Sequence, residues 1–183
     1  MVLSLFHSPE TELALVAEEY HKAAKLLIEK GVTNDLAAYP IVYLYRHALE
    51  LSIKSVLILG GEVRIVPVVD PLKHGHKLLP LLTQLEQLFG AQYARHYKEL
   101  EEIVKEFDEV DPENQAFRYT FKRNRNPSME PGFAFSVARM AKVLDPVLER
   151  LSGGWATHTW AVWLELPLTL TPMKWGCATS HAF

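Results

Sequence analysis

The chain has 183 residues, 49% of them hydrophobic and 22% charged, with a formal net charge of −3 and a pI near 6.2. That is material for one domain with a single apolar core, and it leaves no global basic field, so a nucleic-acid contact would need a local patch. Cys177 is the only cysteine, which excludes an intramolecular disulfide or a multi-cysteine zinc site and leads us to expect a cytosolic protein.

The first ten residues, Met-Val-Leu-Ser-Leu-Phe-His-Ser-Pro-Glu, lack the basic start and apolar run of an export signal, and no stretch is apolar for long enough to cross a membrane. Ser8-Pro9 suits a helix start, with Ser as cap and Pro at the first helical position, and Gly31 suits its end. Between them Leu13, Val16, Ala17, Tyr20, Ala24, Leu27 and Ile28 recur at helical spacing and are the expected inward face. A second helix is expected from Asn34 or Asp35 to Gly60-Gly61, antiparallel to the first because the connection is short, with Pro40 near its first turn.

That second helix is apolar almost all round, yet Arg46, His47, Glu50 and Lys54 fall within an arc of about 100°. A helix of this kind belongs inside a bundle, and charges there are costly unless paired. The four residues therefore face a cleft, a partner chain or other polar groups, or else mark a solvated edge with two i,i+4 pairs.

Residues 62–75 are rich in valine and interrupted by Pro67 and Pro71, suggesting a short extended segment. His74 and His76 flank Gly75 near Asp70; without placed carboxylates they suit a capping turn better than a metal site, and no metal or other cofactor is expected. A third helix should follow His76, with Leu78, Leu79, Leu82, Leu85 and Leu88 inward, and stop at Gly90. A fourth, over about 91–109, carries a solvated face of Lys98, Glu99, Glu101, Glu102, Lys105 and Glu106 and ends at Asp111-Pro112.

Residues 111–132 interleave Arg118, Lys122, Arg123 and Arg125 with Phe117, Tyr119 and Phe121, a composition able to hold phosphates while stacking bases and equally found in ordinary polar loops. A fifth helix is expected over about 133–151, with Phe135, Val137, Ala138, Ala141, Leu144 and Leu148 inward and a kink at Pro146. The expected helical domain thus covers 1–152. Residues 153–183 hold all four tryptophans and a strand-like alternation at 164–170, and are either a partner-binding or dimerising tail or an extension without a folded role.

The run from Tyr45 to Leu57, with Arg46-His47-Ala48-Leu49-Glu50 and Lys54, followed by Gly75-His76-Lys77-Leu78-Leu79-Pro80, resembles the HEPN superfamily (higher eukaryote and prokaryote nucleotide-binding domain). Asp111-Pro112 followed by Phe117-Arg118-Tyr119 is similar to one branch of it. The resemblance implies an all-α, antiparallel up-and-down bundle of about five helices, often homodimeric, of a kind found in RNA-cleaving toxins, toxin–antitoxin pairs and antiviral defence.

Catalytic HEPN proteins use an Arg, four to six intervening residues, then a His, and no arginine here has a His at that spacing; His158, eight after Arg150, comes nearest. The implied function is therefore a module that binds RNA, a nucleotide or a partner protein through Arg46, His47, Glu50, Lys54, His76, Arg118 and Tyr119, with no membrane. Two alternatives stay open: a metal-independent RNase with a rearranged Arg/His site, or a structural dimeric bundle in which the charges form an internal network.

Overall fold

The computed structural model describes residues 9–31, 35–63, 70–90, 97–122, 124–129 and 135–157. Its elements are α1 (Pro9–Glu29), α2 (Asp35–Val63), a 3₁₀ turn (Pro71–His74), α3 (Leu78–Phe89), α4 (Leu100–Val110) and α5 (Val137–Thr157), with no strand among the described residues. The all-α bundle expected from the periodicity is the architecture. The valine-rich residues 64–69, the start expected for the fourth helix at 91–96 and the tail from 158 lie outside the described residues.

The central helix is α2, because it is the one helix apolar on nearly every side. It runs antiparallel to α1, packs α5 and α3 on its other flanks, and meets the 3₁₀ turn. Ile41, Val42, Tyr45, Leu49, Ile53, Val56 and Leu57 are all buried along it. On α4 the buried residues Leu100, Ile103, Val104 and Phe107 follow the i, i+3, i+4, i+7 rule, and the charged residues take the other side. Phe107 stacks on Phe135 at 5.5 Å and meets Phe117 edge-on at 6.4 Å, which seats the loop after α4 on the core.

Five expectations are corrected, the first being the start of the fourth helix: residues 97–99 form a turn and α4 begins at Leu100. α2 does not end at Gly60-Gly61 but continues to Val63. A Cβ at Gly60 would lie 2.5 Å from Leu88 Cδ2, so this glycine lets α3 approach α2 closely. The inward face of α1 is rotated: Val16 and Ile28 are exposed, while Ala14, Ala17, His21 and Ala24 form the buried seam. Small residues there bring the two helix backbones together, and His21 is satisfied by Asp145 of α5 at 2.7 Å. On α5, Ala138 faces solvent, and Met140, Val147 and Leu151 join Leu144 and Leu148 inside. That helix runs on past Gly153-Gly154 to Thr157, with the exposed Pro146 in its interior. Gly90 closes α3 with a φ of 54°, and Asp70 Oδ1 accepts from the Leu72 N–H at the 3₁₀ turn.

Candidate functional site

Spacing of three and four residues on α2 places Arg46, His47, Glu50 and Lys54 together, and the fold closes two further segments over them. Glu50 is the hub. Its carboxylate, 1% exposed, accepts from Lys54 Nζ at 2.7 Å and from His76 Nδ1 at 3.1 Å to each oxygen. Arg46 Nη1 lies 3.8 Å away and His47 Nδ1 3.9 Å away, both beyond hydrogen-bonding distance. Burial alone would raise the Glu50 carboxyl, but the His47 imidazole, the Lys54 ammonium and the charge of His76 outweigh it and hold its pKa at about 2.

Both cations of the buried sector bond the backbone, Arg46 through Nη2 alone, its Nε and Nη1 being buried without a hydrogen-bond partner among the described residues. Arg46 Nη2 donates to the carbonyls of His76 at 3.0 Å, Asp111 at 2.9 Å and Pro112 at 3.4 Å. Lys54 Nζ donates to the Gly75 carbonyl at 2.5 Å. These bonds tie to α2 the turn before α3 and the loop after α4, and at the buried Asp111 they satisfy a carbonyl shielded from water. Burial pushes the Arg46 guanidinium below its usual pKa, opposed by the carboxylates of Asp111 and Glu50. Asp111 in turn shapes the loop: its Oδ1 accepts from the Gln115 N–H at 2.5 Å and its Oδ2 from the Phe117 N–H at 3.4 Å.

His47, His76, Arg118 and Tyr119 are the members that reach solvent. His47 stacks on Tyr43 (5.5 Å, 12° between planes) and meets Tyr20 edge-on at 4.7 Å. The Arg118 guanidinium lies 5.6 Å from the Tyr43 ring and 5.7 Å from the Tyr119 ring, and its Nε donates to the Asn114 carbonyl at 2.8 Å. The result is a surface ladder of Tyr119, Arg118, Tyr43 and His47. Burial and the neighbouring Tyr20 raise the Tyr43 phenol, and the charge of Arg118 draws it the other way.

Because Nδ1 of His76 donates to Glu50, Nε2 is the ring atom left for a ligand, on a side chain 44% exposed. In the interior the charges of Arg46 and Lys54 are offset by the buried carboxylates of Glu50 and Asp111. Arg118, by contrast, has no carboxylate partner among the described residues, which makes it the surplus cation of the cluster.

The fold thus gathers all seven sequence candidates into one region, divided between a buried frame (Arg46, Glu50, Lys54) and an accessible edge (His47, His76, Arg118, Tyr119). Sequence reasoning missed Tyr20 and Tyr43 as ring partners and Asp111 as loop organiser. The i,i+4 spacing of Tyr43 and His47 was the one available signal. Comparison with protein-family models, with curated proteins and with solved structures gave no match for this chain.

Proposed function

We propose that this chain is a HEPN-like module that binds RNA or a nucleotide at the edge formed by Tyr43, His47, His76, Arg118 and Tyr119, and that it binds without cutting. The observation that carries this reading is the Arg118 guanidinium, without a carboxylate partner among the described residues, held against two tyrosine rings on the same edge as the Glu50-oriented imidazole of His76. A guanidinium there takes a phosphate, the rings take a base, and the imidazole edge of His76 adds a hydrogen bond. The missing Arg-to-His spacing favours binding over cleavage. The resemblance sets the module among homodimeric components of prokaryotic defence or toxin–antitoxin systems, where a partner protein is a further ligand.

A second reading, the purely structural bundle, is favoured by one specific observation: Arg46 Nη2 and Lys54 Nζ tie backbone carbonyls of other segments to α2. Titration with ATP, and incubation with total RNA, distinguish the readings. Arg118→Ala is expected to weaken ATP binding by about 10- to 100-fold, as for loss of a hydrogen bond to a charged group, with the unfolding midpoint unchanged. RNA cleavage that His76→Ala abolishes would replace this reading with the RNase alternative. Absence of any nucleotide or RNA binding would leave the structural bundle.

A further inference from the structure

The loop after α4 carries a feature that the nucleotide edge does not use. Residues 120–122 and 126–128 pair as a small hairpin: the Ser128 N–H donates to the Thr120 carbonyl at 3.0 Å, and the Lys122 N–H to the Asn126 carbonyl at 2.8 Å. Phe121 pairs with Pro127 across it, and the Arg125 N–H closes the turn on the Lys122 carbonyl at 2.9 Å. Tyr119 (57% exposed) and Phe121 (63% exposed) are the large aromatic side chains left open to solvent among the described residues. Arg118, Lys122 and Arg125 are exposed beside them, and none of the three has a carboxylate partner among the described residues.

Arg125 holds a left-handed backbone, φ 66°, at the tip of this turn. Glycine takes that conformation at no steric cost, whereas a side chain strains it. An arginine there gives up local stability and gains a cation at the hairpin tip, the arrangement expected where the side chain has a use of its own.

We propose that this hairpin grips an unpaired polynucleotide strand, stacking bases on Tyr119 and Phe121 and holding phosphates with Arg118, Lys122 and Arg125. The assignment rests on the nucleotide-binding reading above and extends it from a single nucleotide to a strand. Two open aromatic faces need bases free of a duplex, and cations at intervals along the same loop suit a backbone that continues from one base to the next. A duplex, its bases already stacked, gains nothing from Tyr119 and Phe121.

The test is fluorescence anisotropy with labelled oligouridine of about a dozen nucleotides, the matching RNA duplex, and oligothymidine of the same length. Oligouridine is expected to bind more tightly than both the duplex and ATP, with a slope of log K against log salt of about −2, from three phosphates on a single strand. Phe121→Ala is expected to weaken binding by about 5- to 150-fold. Arg125→Gly is expected to weaken it and to flatten the salt slope by about 0.7, with an unfolding midpoint unchanged or raised because the turn relaxes.

That opposition of effects is one a structural role does not produce. Oligothymidine binding as well as oligouridine would show that the unpaired strand is read without its 2′-hydroxyl and would also support the assignment. Duplex binding equal to single-strand binding would overturn it. If ATP binds through Arg118 while Phe121→Ala and Arg125→Gly bind oligouridine unchanged, the hairpin assignment fails and the nucleotide reading stands. If neither ATP nor any strand binds, both fail.

Discussion

At Glu50 one buried carboxylate faces the cations of Arg46 and Lys54 and the imidazoles of His47 and His76. Replacing it with Gln leaves Arg46 and Lys54 buried against a neutral amide, and Glu50→Gln is expected to cost about 3–5 kcal/mol in urea unfolding. The double variant Glu50→Leu, Lys54→Met should recover part of that loss, because removing both partners of a buried pair is less costly than removing one.

The same carboxylate sets an acid limit. Its pKa is held at about 2, below its ordinary 4.5, so its contribution is fully present above the ordinary value and is lost as pH falls towards 2. Unfolding midpoints followed from pH 6 downward should therefore drop below about pH 4.5 in the wild type and drop less in Glu50→Gln. Parallel pH curves for the two proteins would sink this account.

At the scale of the element, Gly60 shows how a helix can run through a residue that usually ends one. Gly60 costs α2 about 1 kcal/mol of helix propensity relative to alanine, and the absent Cβ is what lets Leu88 of α3 seat against it. Gly60→Ala thus gains propensity and overpacks a buried contact, at a cost of about 1–3 kcal/mol. The expected net is a destabilisation of about 1 kcal/mol, read as a lower urea midpoint. A stabilised variant would mean that Leu88 moves aside freely.

The α1 seam follows similar logic. Ala14, Ala17 and Ala24 are buried and Val16 and Ile28 are not, because close backbone approach around the His21–Asp145 contact outweighs burying the two larger side chains. Periodicity locates such a helix; its rotation depends on a partner helix more than a hundred positions away.

Across the whole molecule, Asp145 ties three helices. Its Oδ1 accepts from the Tyr45 hydroxyl of α2 at 2.8 Å and lies 2.7 Å from His21 Nε2 of α1, and one turn on, Glu149 meets Lys25 at 3.0 Å. Burial and this acceptor both raise the Tyr45 phenol well above its usual pKa, keeping it the neutral donor. Asp145→Ala orphans two buried polar groups and should cost about 1–3 kcal/mol, lowering one cooperative transition rather than splitting it, since α1, α2 and α5 share one core. Two separate transitions in calorimetry would refute the shared-core account. No helix among the described residues is long and apolar enough to cross a membrane.

Much of this was legible in local pattern: the five helices, the caps at Gly31 and Gly90, and the gathering of Arg46, His47, Glu50 and Lys54 on one side of α2. Those features depend on residues three or four apart, whose geometry a helix dictates wherever it sits. Arg118 over Tyr43 was not legible, since it needs the loop that Asp111 shapes to be pinned on α2.

By itself, then, the sequence determined that a charged sector lies on a central apolar helix of an all-α bundle. Only the tertiary structure decided which of those charges are free to act. Arg46 Nη2 reaches the carbonyls of His76, Asp111 and Pro112, and Lys54 that of Gly75, so both side chains are buried under segments distant in the chain. Buried donors must find acceptors wherever the fold brings them, and that allocation leaves His47, His76, Arg118 and Tyr119 as the chemistry the surface presents.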